Sequence, residues 1–400
     1  MVTPQEDIWL PGFQAIAHGH LAYTGPAAVQ YGPGTQLASY LIMRHLTSFS
    51  IVGFRQSWAI YQWVGGSILF VVFFLAFGYL RGLAISLLDL LVYTGLHQVS
   101  FGPDGTFGGY LGWANPLRYA GTIALVALLP AVIRRCPSRW GVAAGAALGV
   151  LWGVTSYLAQ EDLIAGAVGA LVIAALLLLS RGYAWRAVRA ALVAVLAGFL
   201  VVWLPVLAFY AVHGVLGPFL RTYFLLALAV AHGYGNNAWR GGTSMPFSLA
   251  TMFYAMPFLL AAVALLTAFD WRPLRIAVGW SRERERVAVA MIFTVLMFQG
   301  ALLRSDETDM TATLLVAPAL VVVLATMLPR LLGARRRGTV ALVGAALFVA
   351  SLLMVPLSSS TWATVSSQAT APYLDRVRMA AAARPAAPGT LAAQRVGAGL

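Results

Sequence analysis

The sequence predicts an all-α, polytopic integral membrane protein with about ten transmembrane helices and further helices lying on its outer surface. Of its 400 residues, 60% are hydrophobic and only 10% are charged, whereas a soluble domain carries about 25% charged residues. The apolar residues form runs long enough to cross a bilayer, whose hydrocarbon core takes about 20 helical residues. The basic residues, all of them arginines, stand in groups at alternate gaps between those runs. Together these patterns exclude a soluble or a disordered chain.

Ten apolar runs are predicted to span the membrane. They lie at 57–80, 83–98, 117–133, 140–158, 163–180, 190–212, 250–269, 287–303, 309–328 and 338–356. Two further apolar segments, 36–53 and 219–231, are too polar or too short to span. We predict that these two lie along the outer surface as interfacial helices.

The arginines indicate which way the spans run. Sixteen of the 26 fall in five stretches, namely around Arg81, Arg134–Arg139, Arg181–Arg189, Arg272–Arg286 and Arg330–Arg337. Because arginine is enriched in cytoplasmic loops, these stretches are predicted to lie inside the cell. They hold three carboxylates, whereas the outer segments hold ten arginines and nine carboxylates. Since the arginines flank apolar spans and form no single basic face, the net charge of +13 does not indicate a nucleic-acid partner.

This orientation divides the chain into three parts. Residues 1–56 form an outer first loop, residues 57–356 the transmembrane domain, and residues 357–400 an outer tail whose composition predicts little ordered structure. The outer loops of the transmembrane domain are 99–116, 159–162, 213–249 and 304–308. The first residues lack the pattern of a signal peptide. One further transmembrane helix is therefore expected before Met1, to carry the first loop across the membrane.

The residues that could perform chemistry lie in the outer segments. Glu6 and Asp7 open a segment with a partly helical period, where carboxylates would also complement the helix dipole. Arg118 stands at the outer mouth of a span, where an arginine either snorkels to the surface or binds an anion. Glu161 belongs to the polar run from Gln160 to Asp162, which is also typical of a tight turn.

The remaining outer loops allow similar alternatives. Asp104 stands in a Pro-Asp-Gly turn signal. Arg221 and Arg240 lie among Tyr, Trp, Asn and His residues, which suit a carbohydrate or phosphate site and equally suit an ordinary interfacial loop. Arg304 and Asp306 belong to a run of four charges in six residues that could pair locally.

The sequence does not indicate a metal or another cofactor. The single cysteine, Cys136, excludes a disulfide framework and a cysteine-ligated metal site. His18 and His20 are two residues apart and do not share a helix face, so a metal site formed by them with Asp7 is the weaker interpretation. Walker, zinc-ligand and Gly-x-Ser-x-Gly motifs are absent. Asp89 is the one acid clearly inside a span, which disfavours a channel or secondary transporter.

Four short motifs resemble the GT-C superfamily of polytopic glycosyltransferases, especially bacterial mannosyl- and arabinosyltransferases that use polyprenyl-phosphate sugars. In that family an acidic pair opens the first outer loop, an amphipathic helix ends in Gly-x-x-x-Tyr, a Pro-containing turn follows, and a late outer loop carries Arg-Ser-Asp. The matching residues here are Glu6-Asp7, Gly19–Tyr23, Tyr31–Gly34 and Arg304–Asp306. The chain departs from the family at Gly32-Pro33, where relatives have Pro-Pro, at Asp309, where they often have His, and in lacking the first helix.

The resemblance implies a role for each outer residue. A carboxylate acts as the general base, with Asp7 as the first candidate and Glu6 as the second. The donor phosphate needs positive charge, which Arg118, Arg304, Arg221 and Arg240 could supply. The sugar and acceptor would contact Trp9, Tyr31, Asp104, Trp113, Glu161 and Asp306.

The predicted function is therefore inverting transfer of a hexosyl or pentosyl group at the outer face of a bacterial plasma membrane. The donor is a polyprenyl-phosphate-linked sugar, and the acceptor is an envelope glycan, a lipid or a protein. The alternative is a non-catalytic flippase or transporter for lipid-linked sugars, or an accessory subunit of polysaccharide assembly. Such a transporter should depend on Asp89, whereas an enzyme should depend on Asp7 or Glu6.

Overall fold

In the residues that the computed structural model describes, the regular structure is helical apart from one short antiparallel ladder. The structure describes residues 4–22, 24, 33–87, 116–179, 183–231, 269–270, 275–276 and 281–304, with the single positions 319, 322, 323 and 326. The helices are α1 (Pro4–Ala17), α2 (Pro33–His45), α3 (Ile51–Phe77), α4 (79–87), α5 (Pro116–Arg135), α6 (Arg139–Leu158), α7 (Gln160–Leu179), α8 (Trp185–Val212), α9 (Leu216–Ala231) and α10 (Arg282–Arg304). The ladder pairs β1 (Phe269–Asp270) with β2 (Arg275–Ile276).

Four of the described helices are long and apolar enough to cross a membrane. They are Leu117–Arg135, Arg139–Leu158, Gln160–Leu179 and Trp185–Val212, and they confirm the four spans predicted there. The span in α5 is central, because 72% of its apolar stretch is buried inside the bundle, compared with 22% for the span in α8. Helix α8 instead exposes large aliphatic side chains, among them Val193, Val201 and Leu204. An apolar surface of this kind is stable in lipid, so the chain is an integral membrane protein.

Several helix ends differ from the prediction. Helix α3 begins at Ile51, before the predicted position 57, because the Ser50 hydroxyl accepts a hydrogen bond from the Gly53 N–H at 3.0 Å and caps its first turn. It ends at Phe77, since Gly78 takes a φ of 90°. Helix α8 begins at Trp185, earlier than the predicted 190.

The predictions for two outer segments were wrong in detail. Residues 36–53 do not form one interfacial helix, because α2 ends at His45 and five residues separate it from α3. The predicted loop 159–162 is reduced to Ala159, since Gln160 already begins α7. The other predicted surface segment, 219–231, is helical as expected and lies within α9.

Glycines allow α6 and α8 to pack closely. Gly145, Gly149 and Gly153 recur every fourth residue on α6 and share one face. A Cβ atom on Gly149 would overlap the Val195 carbonyl oxygen, and one on Gly198 would overlap the Ala146 carbonyl oxygen. Small residues at this spacing let membrane helices approach until their backbones touch, which increases the dispersion contact between them.

Described residues in or next to four of the five predicted cytoplasmic stretches meet at one end of the bundle, here called the basic end; the fifth, Arg330–Arg337, lies outside the described residues. Arg134 forms an ion pair with Glu285, which also accepts a hydrogen bond of 2.7 Å from the Tyr183 hydroxyl. Burial and the neighbouring Glu285 raise the pKa of Tyr183, which keeps this hydroxyl protonated as a donor. The Arg286 guanidinium donates to the Ala76 carbonyl at 3.0 Å. Arginine stretches far apart in sequence therefore share an end, as their alternation predicts.

Candidate functional site

At the opposite end of the bundle, here called the far end, two predicted outer segments, 1–56 and 213–249, contact the ends of the spans. The Thr35 hydroxyl at the start of α2 donates to the Leu158 carbonyl at 2.7 Å. The Tyr223 hydroxyl on α9 donates to the Ser156 carbonyl at 2.6 Å. The Tyr210 hydroxyl near the end of α8 donates to the Ala22 carbonyl at 2.9 Å, in the segment that follows α1. These bonds attach the surface segments to the ends of α6 and α8.

Two predicted site residues meet at this far end. Arg118 lies in the first turn of α5 and Glu161 in the first turn of α7, and their side chains form a salt bridge. The Arg118 side chain is 14% exposed and the Glu161 side chain is 33% exposed. The Arg118 guanidinium carbon also lies 5.6 Å from the centre of the Tyr119 ring, within the range of a cation–π interaction. The structure therefore contains a partly buried cation whose partner carboxylate remains open to solvent.

Asp162, next to Glu161, is a buried acid that was not among the site residues predicted from the sequence. Its side chain is 0% exposed. One carboxylate oxygen accepts from the Thr122 backbone N–H at 3.1 Å, and the other accepts from the Thr155 hydroxyl. Its own carbonyl oxygen accepts from the Thr122 hydroxyl at 3.1 Å and from the Trp152 indole N–H at 3.0 Å. Asp162 thus joins α5, α6 and α7 directly below the ion pair.

Because Gly121 has no side chain, Thr155 of α6 and Asp162 of α7 can lie close to the backbone of α5. A Cβ atom there would overlap the Thr155 hydroxyl oxygen and lie 2.7 Å from an Asp162 carboxylate oxygen. Gly166, one turn after Asp162, similarly leaves room for the Trp152 ring. An aspartate at the start of an apolar helix, together with a glycine one turn later and another on a neighbouring span, is the sequence signal that could have indicated this buried network.

Comparison with known proteins supports the fold. No protein-family model matches the chain, and no curated protein sequence matches it. Two solved structures do match, both of ArnT from Cupriavidus metallidurans, a GT-C glycosyltransferase. The structure with bound undecaprenyl phosphate is 18% identical with a TM-score of 0.50, and the apo structure is 17% identical with a TM-score of 0.51.

The chain has the GT-C fold. Each match covers 89% of this chain, which spans 61% of the ArnT chain in one structure and 60% in the other. The predicted fold class is thereby confirmed, as is the predicted likeness to the GT-C fold. At this level of identity the likeness concerns the fold, and roles of individual residues remain predictions.

Within this fold, the two predicted bases and one of the predicted ring-stacking residues lie on the first helix. Glu6, Asp7 and Trp9 all belong to α1, which already begins at Pro4. The structure describes their backbone, and the roles of their side chains stay predictions. The buried Phe13 packs on Phe54, with ring centroids 5.5 Å apart, and so attaches α1 to α3.

The remaining predicted residues are distributed as follows. Arg221 is exposed on α9. Arg304 ends α10, which starts at the basic end, and its 19 residues beyond Glu285 advance roughly 28 Å along the helix. Its backbone therefore reaches the far end. The positions Tyr31, Asp89, Asp104, Trp113, Arg240 and Asp306 lie outside the described residues, as do the last two predicted spans apart from four positions.

The described residues contain no group of three side chains suited to hold a metal ion. His18 and His20 are both exposed, and the His18 ring makes a 2.7 Å hydrogen bond with the Gln14 carbonyl within its own helix. At the far end, Arg118 lies beside the partly exposed carboxylate of Glu161, and the buried carboxylate of Asp162 follows it in sequence. A guanidinium in such a place can bind and orient an anion.

Proposed function

We propose that this protein is a membrane glycosyltransferase that takes its sugar from a polyprenyl-phosphate donor. The observation that carries this proposal is the partly buried Arg118 at the far end of a GT-C fold. The same fold in ArnT was crystallised with undecaprenyl phosphate. Arg118 would lie close to the headgroup region of the bilayer, where the phosphate of such a lipid resides. The acceptor is an envelope glycan, a lipid or a protein.

The proposed reaction is an inverting substitution at the anomeric carbon. An acceptor hydroxyl attacks this carbon, and the bond to the phosphate oxygen breaks with both electrons going to the polyprenyl phosphate. A carboxylate of α1, Asp7 or else Glu6, takes the proton of the hydroxyl. Arg118, with Arg304 and then Arg221 and Arg240, would stabilise the negative charge that develops on the leaving phosphate.

Arg118→Gln tests the donor site. We expect the affinity for undecaprenyl phosphate to fall about ten- to a hundredfold, because hydrogen bonds to a charged partner contribute about 1.5–3 kcal/mol. Binding would be measured on the full chain in nanodiscs by titration with undecaprenyl phosphate. Arg186→Gln is the matched control, since Arg186 is an exposed arginine on α8 near the basic end. Equal affinities for Arg118→Gln and the unaltered protein would contradict the proposal.

The orientation of the far end can be tested with the cysteine chemistry of this chain. Cys136 is the single cysteine, and it can be removed as Cys136→Ser. In that background, His213→Cys at the far end should react with a membrane-impermeant maleimide added to intact cells. Arg139→Cys at the basic end should react only after permeabilisation. Both positions are exposed, so the reverse pattern would place the proposed site in the cytoplasm.

A further inference from the structure

Two ion pairs among the described residues differ in how firmly the carboxylate is held. At the basic end the Glu285 side chain is 7% exposed, and it accepts from both Arg134 and the Tyr183 hydroxyl. At the far end the Glu161 side chain is 33% exposed and forms its salt bridge with Arg118. Because a third of the Glu161 side chain is exposed, water can solvate its carboxylate when the ion pair opens, which lowers the cost of releasing it. Glu161 is therefore placed to move away from Arg118, whereas Glu285 is held in place.

The neighbouring Asp162 cannot move in the same way. Its buried carboxylate is held by the Thr122 N–H and the Thr155 hydroxyl. Arg118 lies one turn before Thr122 on α5, so Asp162 is fixed close to the part of α5 that carries the arginine. An anion that approaches Arg118 from solvent thus meets one displaceable carboxylate, with a fixed carboxylate behind it.

We propose that Glu161 is an exchangeable anion, which pairs with Arg118 in the free protein and is displaced by the phosphate of a polyprenyl phosphate. This inference rests on the proposed function and specifies how its donor site is occupied. In the free protein, the Glu161 carboxylate neutralises the charge of the partly buried arginine. On binding, the phosphate offers three acceptor oxygens to the planar guanidinium, which favours a two-bond contact. Asp162 stays bonded to Thr122 and Thr155 while Glu161 leaves Arg118.

The proposal predicts that Glu161 opposes donor binding. Replacing Glu161 by Gln removes the competing charge, so undecaprenyl phosphate should bind at least about threefold more tightly. The measurement uses the full chain in nanodiscs, titrated with undecaprenyl phosphate. Glu283→Gln is the matched control, because Glu283 also lies in the first turn of a helix, but at the basic end. This control should leave the affinity unchanged.

A carboxylate that simply orients Arg118 would give the opposite result. Unchanged or weaker binding by Glu161→Gln would therefore overturn the proposal. If the Gln variant failed to fold, the same measurement would be made on Glu161→Ala. The gain should also vanish when Arg118→Gln is present, since exchange requires the arginine. A gain that persists without Arg118 would indicate general charge repulsion and would also overturn the proposal. If the unaltered protein does not bind undecaprenyl phosphate, the proposed function fails and the exchange fails with it.

Discussion

Asp7→Asn should lower the rate of sugar transfer by about a hundredfold or more, while the affinity for undecaprenyl phosphate stays unchanged. An isosteric amide cannot take the proton of the acceptor hydroxyl, and general-base catalysis contributes roughly 10²- to 10⁴-fold. Asp7 is in the first turns of α1, which Phe13 attaches to α3. Transfer would be followed with a set of polyprenyl-phosphate sugars, and kcat compared with the binding constant.

Glu6→Gln is the comparison that makes this test specific. Successive residues of an α-helix point about 100° apart, so Glu6 and Asp7 cannot both face one acceptor hydroxyl. We therefore expect Asp7→Asn to reduce turnover strongly and Glu6→Gln to reduce it little. Thermal unfolding of both variants checks that the protein still folds. If neither substitution affects transfer, the assignment of the base to α1 is wrong.

Gly149→Ala should destabilise the folded protein by about 1–3 kcal/mol or more, because the added methyl group would meet the Val195 carbonyl. Backbone atoms cannot rotate away as a flexible side chain can, so α6 and α8 must separate along their glycine contact. The loss would be measured by reversible unfolding in mixed micelles. Separation would also displace Trp152, which lies on α6 and donates to Asp162.

Gly66→Ala provides the control for this prediction. Gly66 is a helical glycine of α3, and a Cβ atom there would meet nothing within 4 Å. Because alanine favours the helix over glycine by about 0.5–1 kcal/mol, this variant should be neutral or slightly more stable. Equal stability of the Gly149→Ala and Gly66→Ala variants would show that the close helix contact is unimportant.

Helix boundaries show where interpretation of the sequence alone was insufficient. Hydropathy placed the start of one span at 163, because Glu161 and Asp162 are charged and were assigned to a loop. In the structure both acids belong to α7, where Asp162 is buried and Glu161 pairs with Arg118. A charged residue can enter a helix at the membrane when a neighbouring helix supplies its hydrogen bonds. The sequence of α7 does not reveal which donors α5 and α6 supply.

The sequence by itself determined that the chain spans a membrane, where the central spans lie, and which arginine stretches share an end. These properties depend on the transfer of each segment into lipid and on the charges that flank it, so the sequence of each segment is enough to predict them. Only the tertiary structure decided that Arg118 meets Glu161, that Asp162 is buried against Thr122, and that Gly149 touches α8. Each of these contacts joins residues about 40 positions apart, and it forms because helix packing brings their backbones within a few ångströms.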